Sequence, residues 1–329
     1  MDSTELQQAF FNTVKNCIPP HVSMVDQLAD LLNLSYDSVY RRIRGEKPLT
    51  MNELKKLCDH YHVSVDQVLQ LQTDSIVFHA PDINNGTVSI EEYLTGVLKQ
   101  FKYFNTFSTK QMLYLCKDLP MWHFYSYPEI ASFKTFCWVK TILNNPEYQN
   151  KKFSLADFPF NECYHLGQQI LIQYNLLPSV ELWNFESFTS SIKQVEYYRD
   201  AGLFSNKEDF DIVLNSFDKT LEHIQHQAEA GRKFIPGAAE SSFKEPYQLY
   251  VNEVVLGNNT IMVELDGNHH CFINYNFLNY LMTKDLRFTS RSNKIFHNLL
   301  SRSTIISGTG EKYRNKFFSH LHEKIASLR

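Results

Sequence analysis

Three residues suited to capping helix N-termini, Ser23, Ser35 and Thr50, fall within about thirty positions of one another. Each opens a run of apolar residues at helical spacing. Ser23 has Asp26 three residues on and Thr50 has Glu53, the spacing of a capping box. The first run carries Val25, Leu28, Leu31 and Leu32. The second carries Val39 and Ile43 and stops at Gly45, and the third carries Met51, Leu54, Leu57, Cys58 and Tyr61. An earlier stripe, Leu6, Phe10, Phe11 and Val14, ends at Pro19-Pro20, and Ser64 opens a last short turn through Val65, Val68 and Leu69. Helices this short are marginal alone and must bury their stripes against one another. Residues 4–70 are therefore expected to form a five-helix bundle.

Beyond it the pattern is less regular. Residues 1–72 read as the first domain and 73–88, with Pro81 and Asn84-Asn85-Gly86, as a linker. From 89 to 235 a helical domain is expected, with helices over 89–104, 108–118, 128–145, 161–175, 180–201 and 206–231. The last has the clearest stripe: Phe210, Val213, Leu214, Phe217, Leu221, Ile224 and Ala228, ended by Gly231. Residues 236–329 read as an α+β segment. Strands over 247–256, 260–265 and 270–275, separated by Gly257-Asn258-Asn259 and Asp266-Gly267-Asn268, suggest a three-stranded antiparallel meander, followed by helices near 276–283, 291–301 and 311–328. The expected fold class is mainly α: an N-terminal five-helix domain, a helical middle and a C-terminal α+β segment.

With 43% hydrophobic and 21% charged residues, the composition is that of an ordinary globular protein. The six cysteines stand singly, in no CxxC pair, so no zinc knuckle or disulfide framework is indicated. The first residues are polar and acidic, unlike a signal peptide, and the most apolar stretch, Phe133 to Leu143, is broken by Lys134 and Lys140. The sequence thus predicts a cytoplasmic protein with no membrane partner. A net charge of −4 supplies no global electrostatic footprint for a nucleic acid, which leaves a local patch to carry any such interaction.

Such a patch exists. Residues 27–45 have the grammar of a helix-turn-helix: small Ala29 lets two helices approach, Leu28, Leu32, Leu34 and Val39 pin their crossing, and the turn Asn33-Leu34-Ser35 leads the second helix in by its N-terminus. This segment, with the caps around it, resembles the lambda-repressor/Cro-like (XRE) family over residues 4–70, and within it the N-terminal domain of BetR-type transcription regulators. The resemblance implies double-stranded DNA as partner; one short helix contacts few base pairs, so a homodimer is expected, and no cofactor is expected. Two positions depart from the family pattern. Asn33 stands where Gly is usual, and Arg42 fills a slot that is usually apolar, Ile43 following one residue later.

With Val39 and Ile43 inward, Tyr36, Asp37, Tyr40, Arg41 and Arg44 fall on the outer face of this helix. Arginine matches guanine O6 and N7, so Arg41 is the candidate base reader, with Tyr40 against a thymine methyl or a sugar. Arg42, Arg44 and Lys47 suit phosphates, and Ser35 opens a helix N-terminus able to donate N–H groups to one. Residues 41–47 hold four basic residues and one acidic, whereas residues 1–75 hold seven Lys/Arg against ten Asp/Glu, which predicts weak non-specific affinity.

Other motifs carry less. His223 and His226 are spaced for one helix face but lack further metal ligands, Asn268-His269-His270-Cys271 falls at a hairpin, and the run from Ser307 to Lys312 lacks phosphate-loop spacing. The aromatic residues of 101–107 and 121–127 suit a core or an apolar ligand pocket. No catalytic motif is present, so no enzyme is expected. The expectation is a sequence-specific transcriptional regulator whose residues 89–329 dimerise, sense a small-molecule or peptide effector, or both, with 206–231 as a candidate interface helix. The alternatives are an enzyme or toxin-like effector that autoregulates through its DNA-binding domain, and a protein-interaction adaptor.

Overall fold

The computed structural model describes residues 2–18, 22–61, 63–68, 75–80, 89–254, 257–275 and 279–329. They divide into two compact units, Met1–Val77 and Phe78–Arg329. Of the stretch expected as a linker, residues 73–74 and 81–88 lie outside the described residues, as do Pro19 and Pro20.

The first unit contains helices α1 (Ser3–Cys17), α2 (Met24–Leu32), α3 (Tyr36–Ile43), α4 (Met51–Tyr61) and α5 (Val65–Val68). Their stripes meet in one core: Phe10, Phe11 and Val14 from α1, Leu28 and Leu32 from α2, Val39 from α3 and Leu57 from α4 are all buried. All three caps form, but of the two expected boxes only Thr50–Glu53 closes, the Asp26 carboxylate making no bond back to Ser23. Ser23 accepts from the Asp26 N–H, Ser35 from Ser38 and Thr50 from Glu53, whose carboxylate accepts in return from the Thr50 N–H at 2.9 Å.

The second unit overturns the mainly α expectation. Its elements run α6 (Ile90–Asn105), β1 (Lys110–Cys116), α7 (Pro128–Cys137), α8 (Asn161–Asn175), β2 (Ser179–Trp183), α9 (Thr189–Asp200), α10 (Lys207–Ala230), β3 (Tyr247–Val251), β4 (Thr260–Leu265), β5 (Asn268–Asn274), β6 (Tyr280–Thr283), α11 (Leu286–Leu300), β7 (Thr304–Ile305) and α12 (Glu311–Ala326). The strands form one seven-stranded mixed sheet in the order β6-β5-β4-β1-β2-β3-β7. Three stretches expected as helix, 108–118, the start of 180–201 and the end of 276–283, are strands. The expected meander is only half present. β4 and β5 form a hairpin, but β3 pairs parallel with β2, and β4 pairs antiparallel with β1. The helical middle and the α+β segment share this sheet, so they build one structure.

Both sheet faces are covered. On one, Met112, Tyr114, Cys116, Trp183, Tyr247, Leu249, Val263 and Leu265 join a core with α6 to α10 and α12. On the other, Val180, Leu182, Met262 and Cys271 meet Phe296 of α11, with Phe288 and Leu299 around it. Phe217 and Leu221 of α10 are buried in the first of these cores, so the stripe considered for an intermolecular interface is internal. The aromatic runs are core as well: Trp122 lies between Phe101, at 5.2 Å, and Tyr174, at 4.7 Å between ring centroids.

The larger core also buries ionisable groups, Glu181 and Lys233 among them. The Glu181 carboxylate accepts from Tyr174 Oη at 2.6 Å, Trp183 Nε1 at 2.9 Å and Tyr247 Oη at 3.1 Å. Lys233 Nζ donates to Ser179 Oγ at 2.7 Å and to the Tyr174 carbonyl at 2.8 Å. Burial pushes the Glu181 carboxyl up and the Lys233 ammonium down to about 7. Among the described residues no helix is long and apolar enough to cross a membrane.

Candidate nucleic-acid interface

A helix can be offered to a DNA groove only if its back is fixed. For α3 the fixing begins in the turn before it. Asn33 adopts the left-handed conformation (φ 56°, ψ 53°) that a short polar side chain tolerates, and the Leu34 N–H reaches back to the Ala29 carbonyl at 3.0 Å. Asn33 thus serves where glycine is usual. The chain re-enters helix at Ser35, whose hydroxyl takes the Ser38 N–H, and Val39 is buried one turn on.

Arg42 holds the other end. Its side chain is only 4% exposed, with Nη2 2.7 Å and Nε 3.1 Å from the two Glu53 oxygens of α4, and Nη1 donating to the Ser38 carbonyl at 3.0 Å. This corrects the sequence reading, in which Arg42 clamps a phosphate. Burial by itself raises the Glu53 carboxyl. The Arg42 hydrogen bonds and charge, with the Thr50 N–H, outweigh it and hold the carboxyl below its ordinary value. The slot that is usually apolar is filled by an ion pair, so α4 grips α3 by charge-assisted hydrogen bonds rather than by a methyl group.

The remaining predicted residues lie on the solvent side. Tyr36 and Tyr40 are among the exposed large side chains, and the Arg41 and Arg44 side chains are 52% and 61% exposed. Asp37 and Lys47 are exposed as well. The Arg44 guanidinium sits 5.9 Å from the centroid of the Tyr40 ring, so these two form one surface. Glu46 lies 3.2 Å from Arg44 Nη1 and 3.8 Å from Arg41 Nε. Exposed pairs of this kind are worth about 0–1 kcal/mol, little enough for a phosphate or a base edge to displace. The N-terminus of α3 is less open than its sequence suggests. Ser35 already occupies one N–H group, and the Asp37 carboxylate in the first turn complements the helix dipole where a phosphate would bind.

The sequence pattern did not show the contribution of Gln7 and Gln8, nor the full part played by Gly45. Gln7 of α1 clips the exit of α3: its Nε2 donates to the Arg42 and Lys47 carbonyls at 2.7 and 2.8 Å, and its Oε1 accepts from the Leu49 N–H at 2.9 Å. Gln8 adds a bond to the Arg44 carbonyl at 3.1 Å. Gly45, legible only as a helix stop, has φ 80°, and a Cβ there would lie 2.4 Å from Thr4 Cγ2. Only glycine lets α1 approach this turn. A glutamine at a polar position on a helix carries no signal that it will bind carbonyls some forty residues away.

The other motifs do not assemble into sites. His223 is buried with Nε2 2.7 Å from the Phe234 carbonyl oxygen, whereas His226 is exposed, so the pair is divided between two faces of α10. Along β5, Cys271 faces α11 and neighbouring His270 points to the opposite side of the sheet. Burial also raises the Cys271 thiol to about 11, away from a reactive thiolate. In the turn before α12, Arg314 Nη1 binds the Ile306 and Gly308 carbonyls at 3.0 and 2.9 Å, so that turn faces a cation rather than a phosphate. Among the described residues no group of three or more His, Cys, Asp or Glu side chains is placed to hold a metal ion.

No curated protein and no solved structure matches the chain. Residues 17–89 match the family model of the BetR domain, which identifies the segment carrying α2 to α5 as one of a helix-turn-helix DNA-binding family.

Proposed function

We propose that the chain is a sequence-specific transcriptional regulator that presents α3 to the major groove of double-stranded DNA. The observation that supports this most is the division of α3 between two sides. Val39 and Arg42 anchor it, and Tyr36, Tyr40, Arg41 and Arg44 are exposed on the outer side. In this reading Arg41 reads a guanine, Tyr40 packs on a thymine methyl or sugar, and Arg44 and Lys47 bind phosphates. One helix of eight residues contacts few base pairs, so the protein binds as a homodimer on a palindrome. The second unit supplies dimerisation, response to an effector, or both, and the chain has no catalytic role.

The test is selection of bound sequences from random duplex DNA with the full chain, repeated with Arg41→Ala. An enriched palindrome whose preference at one position collapses in the variant is the expected result. Retention of random sequence by both proteins would sink the reading. A protein-interaction adaptor would keep its partner after Arg41→Ala.

A further inference from the structure

The second unit as a whole is close to neutral, with 25 Lys/Arg against 26 Asp/Glu over residues 78–329. Residues 284–302 depart sharply from that balance, with five basic residues and one acidic. The acidic one, Asp285, is the N-cap of α11, its carboxylate accepting from the Arg287 and Phe288 N–H groups at 3.0 Å. The helix itself has no acidic residue. The rest of the unit therefore carries the opposite sign, with 20 basic residues against 25 acidic.

Helical geometry sorts these charges. The apolar residues Phe288, Phe296, Leu299 and Leu300 face the sheet. Arg287, Arg291, Lys294 and Asn298 recur at intervals of four, three and four, so they share the opposite, exposed face, and Arg302 continues it just past the helix end. From Arg287 to Arg302 the row is about 22 Å long at ~1.5 Å per residue. Arg287 is held by Asp285 at 3.3 Å. Arg291, Lys294 and Arg302 have no ion-pair partner among the described residues.

We infer that this face of α11 is a second DNA-contacting surface, one that binds the phosphate backbone without reading bases. The inference rests on the DNA-binding reading of the first unit. A row of exposed cations, of which Arg291, Lys294 and Arg302 have no ion-pair partner among the described residues, interspersed with the amide of Asn298 and the hydroxyl of Ser290, suits successive phosphates, which take hydrogen bonds from both kinds of group. A lipid surface is disfavoured because an interfacial helix inserts its apolar face, and here that face is already buried against the sheet. DNA is the polyanion that the first unit brings to the chain.

Each phosphate neutralised contributes a slope of about 0.9 to the fall of log affinity with log salt. The triple variant Arg291→Gln, Lys294→Gln, Arg302→Gln removes up to three such contacts from exposed positions. Its slope on the selected duplex should be shallower by about 2.7, and raising salt from ~50 to ~200 mM should then cost it roughly 40-fold less affinity than it costs the parent. Sequence preference should be unchanged, and calorimetric melting of the full chain should show that the variant is folded. A folded variant with the parental slope overturns the inference and leaves the function of α3 intact, whether or not its binding to anionic phospholipid vesicles falls. If the parent itself shows no salt-dependent duplex binding, the DNA reading and this inference fall together.

Discussion

Arg41 and Arg42 are adjacent and chemically identical, yet Arg42 is buried against Glu53 while Arg41 is exposed. Replacing Arg42 with Ala removes both bonds to Glu53 and the bond to the Ser38 carbonyl. Breaking one side of a buried ion pair typically costs ~3–5 kcal/mol. The Glu53 side chain is 15% exposed and can recover some hydration, so about 2–3 kcal/mol is expected here. For a unit of this size that corresponds to a fall in Tm of roughly 10–20 °C. The measurement is calorimetry on the full chain with tryptophan fluorescence recorded alongside. Trp122, Trp138 and Trp183 all lie in the second unit, so their emission is blind to unfolding of the first. Arg41→Ala should leave that transition within about 0.5 kcal/mol of its original stability. It should instead weaken binding to the preferred duplex by about 1–3 kcal/mol, roughly 5- to 150-fold. The double variant Arg42→Met, Glu53→Gln, which keeps a hydrogen-bonding side chain beside Thr50, should regain part of the stability lost in Arg42→Ala. An Arg42→Ala protein that melts at the parental temperature but binds DNA with a salt slope shallower by ~0.9 would refute the assignment and return Arg42 to the phosphates.

Gln7→Leu should leave the Leu49 N–H and two carbonyls without their partner, with a loss of about 1–3 kcal/mol; faster amide exchange at Leu49 is the diagnostic readout. Gly167→Ala would place a methyl 1.9 Å from Cγ of the buried Tyr125 ring. It should destabilise the second unit by at least ~1–3 kcal/mol, seen as a lower urea midpoint of tryptophan emission, while an unchanged midpoint would show that α8 and Tyr125 can separate freely. Burial lowers His223 from 6.5 to about 4, so between these values the unfolded chain binds more protons than the folded one. Stability should therefore be fully present above pH ~6.5 and fall by about 2–3 kcal/mol as acid carries it through pH 4. His223→Gln should flatten that limb of the denaturant midpoint against pH, and an equally steep limb would place the proton uptake elsewhere, buried His123 being shifted the same way.

The first unit was legible because its signals are local. Caps, stripes and Gly45 each announce themselves within a few residues, and short helices leave little else to decide. The sheet was not legible because its central strands are buried on both faces. In β2 all five residues are buried, Ser179 and Glu181 included, so the alternation that marks a half-exposed strand is absent. The Lys110–Cys116 stretch has the same difficulty, with Met112, Tyr114 and Cys116 meeting one core while Leu113 and Leu115 pack on the other. Only the β4–β5 hairpin, closed by Asp266-Gly267, has a turn that identifies it. At the interface, the outward set followed from helical spacing around Val39. The inward turn of Arg42 did not, because it depends on a carboxylate eleven residues away that sequence inspection assigns only to a cap.

The strand order has a consequence for the chain as it is made. β1 lies at the middle of the sheet, yet its antiparallel neighbour β4 follows about 150 residues later. At ~5–20 residues per second a ribosome needs roughly 8–30 s to deliver it. The DNA-binding unit, built from neighbouring helices, can be complete long before then, while β1 waits with an open edge. Chaperone demand during synthesis should therefore fall on the second unit, and shortening the chain anywhere before β4 should yield an intact DNA-binding head on an aggregating body.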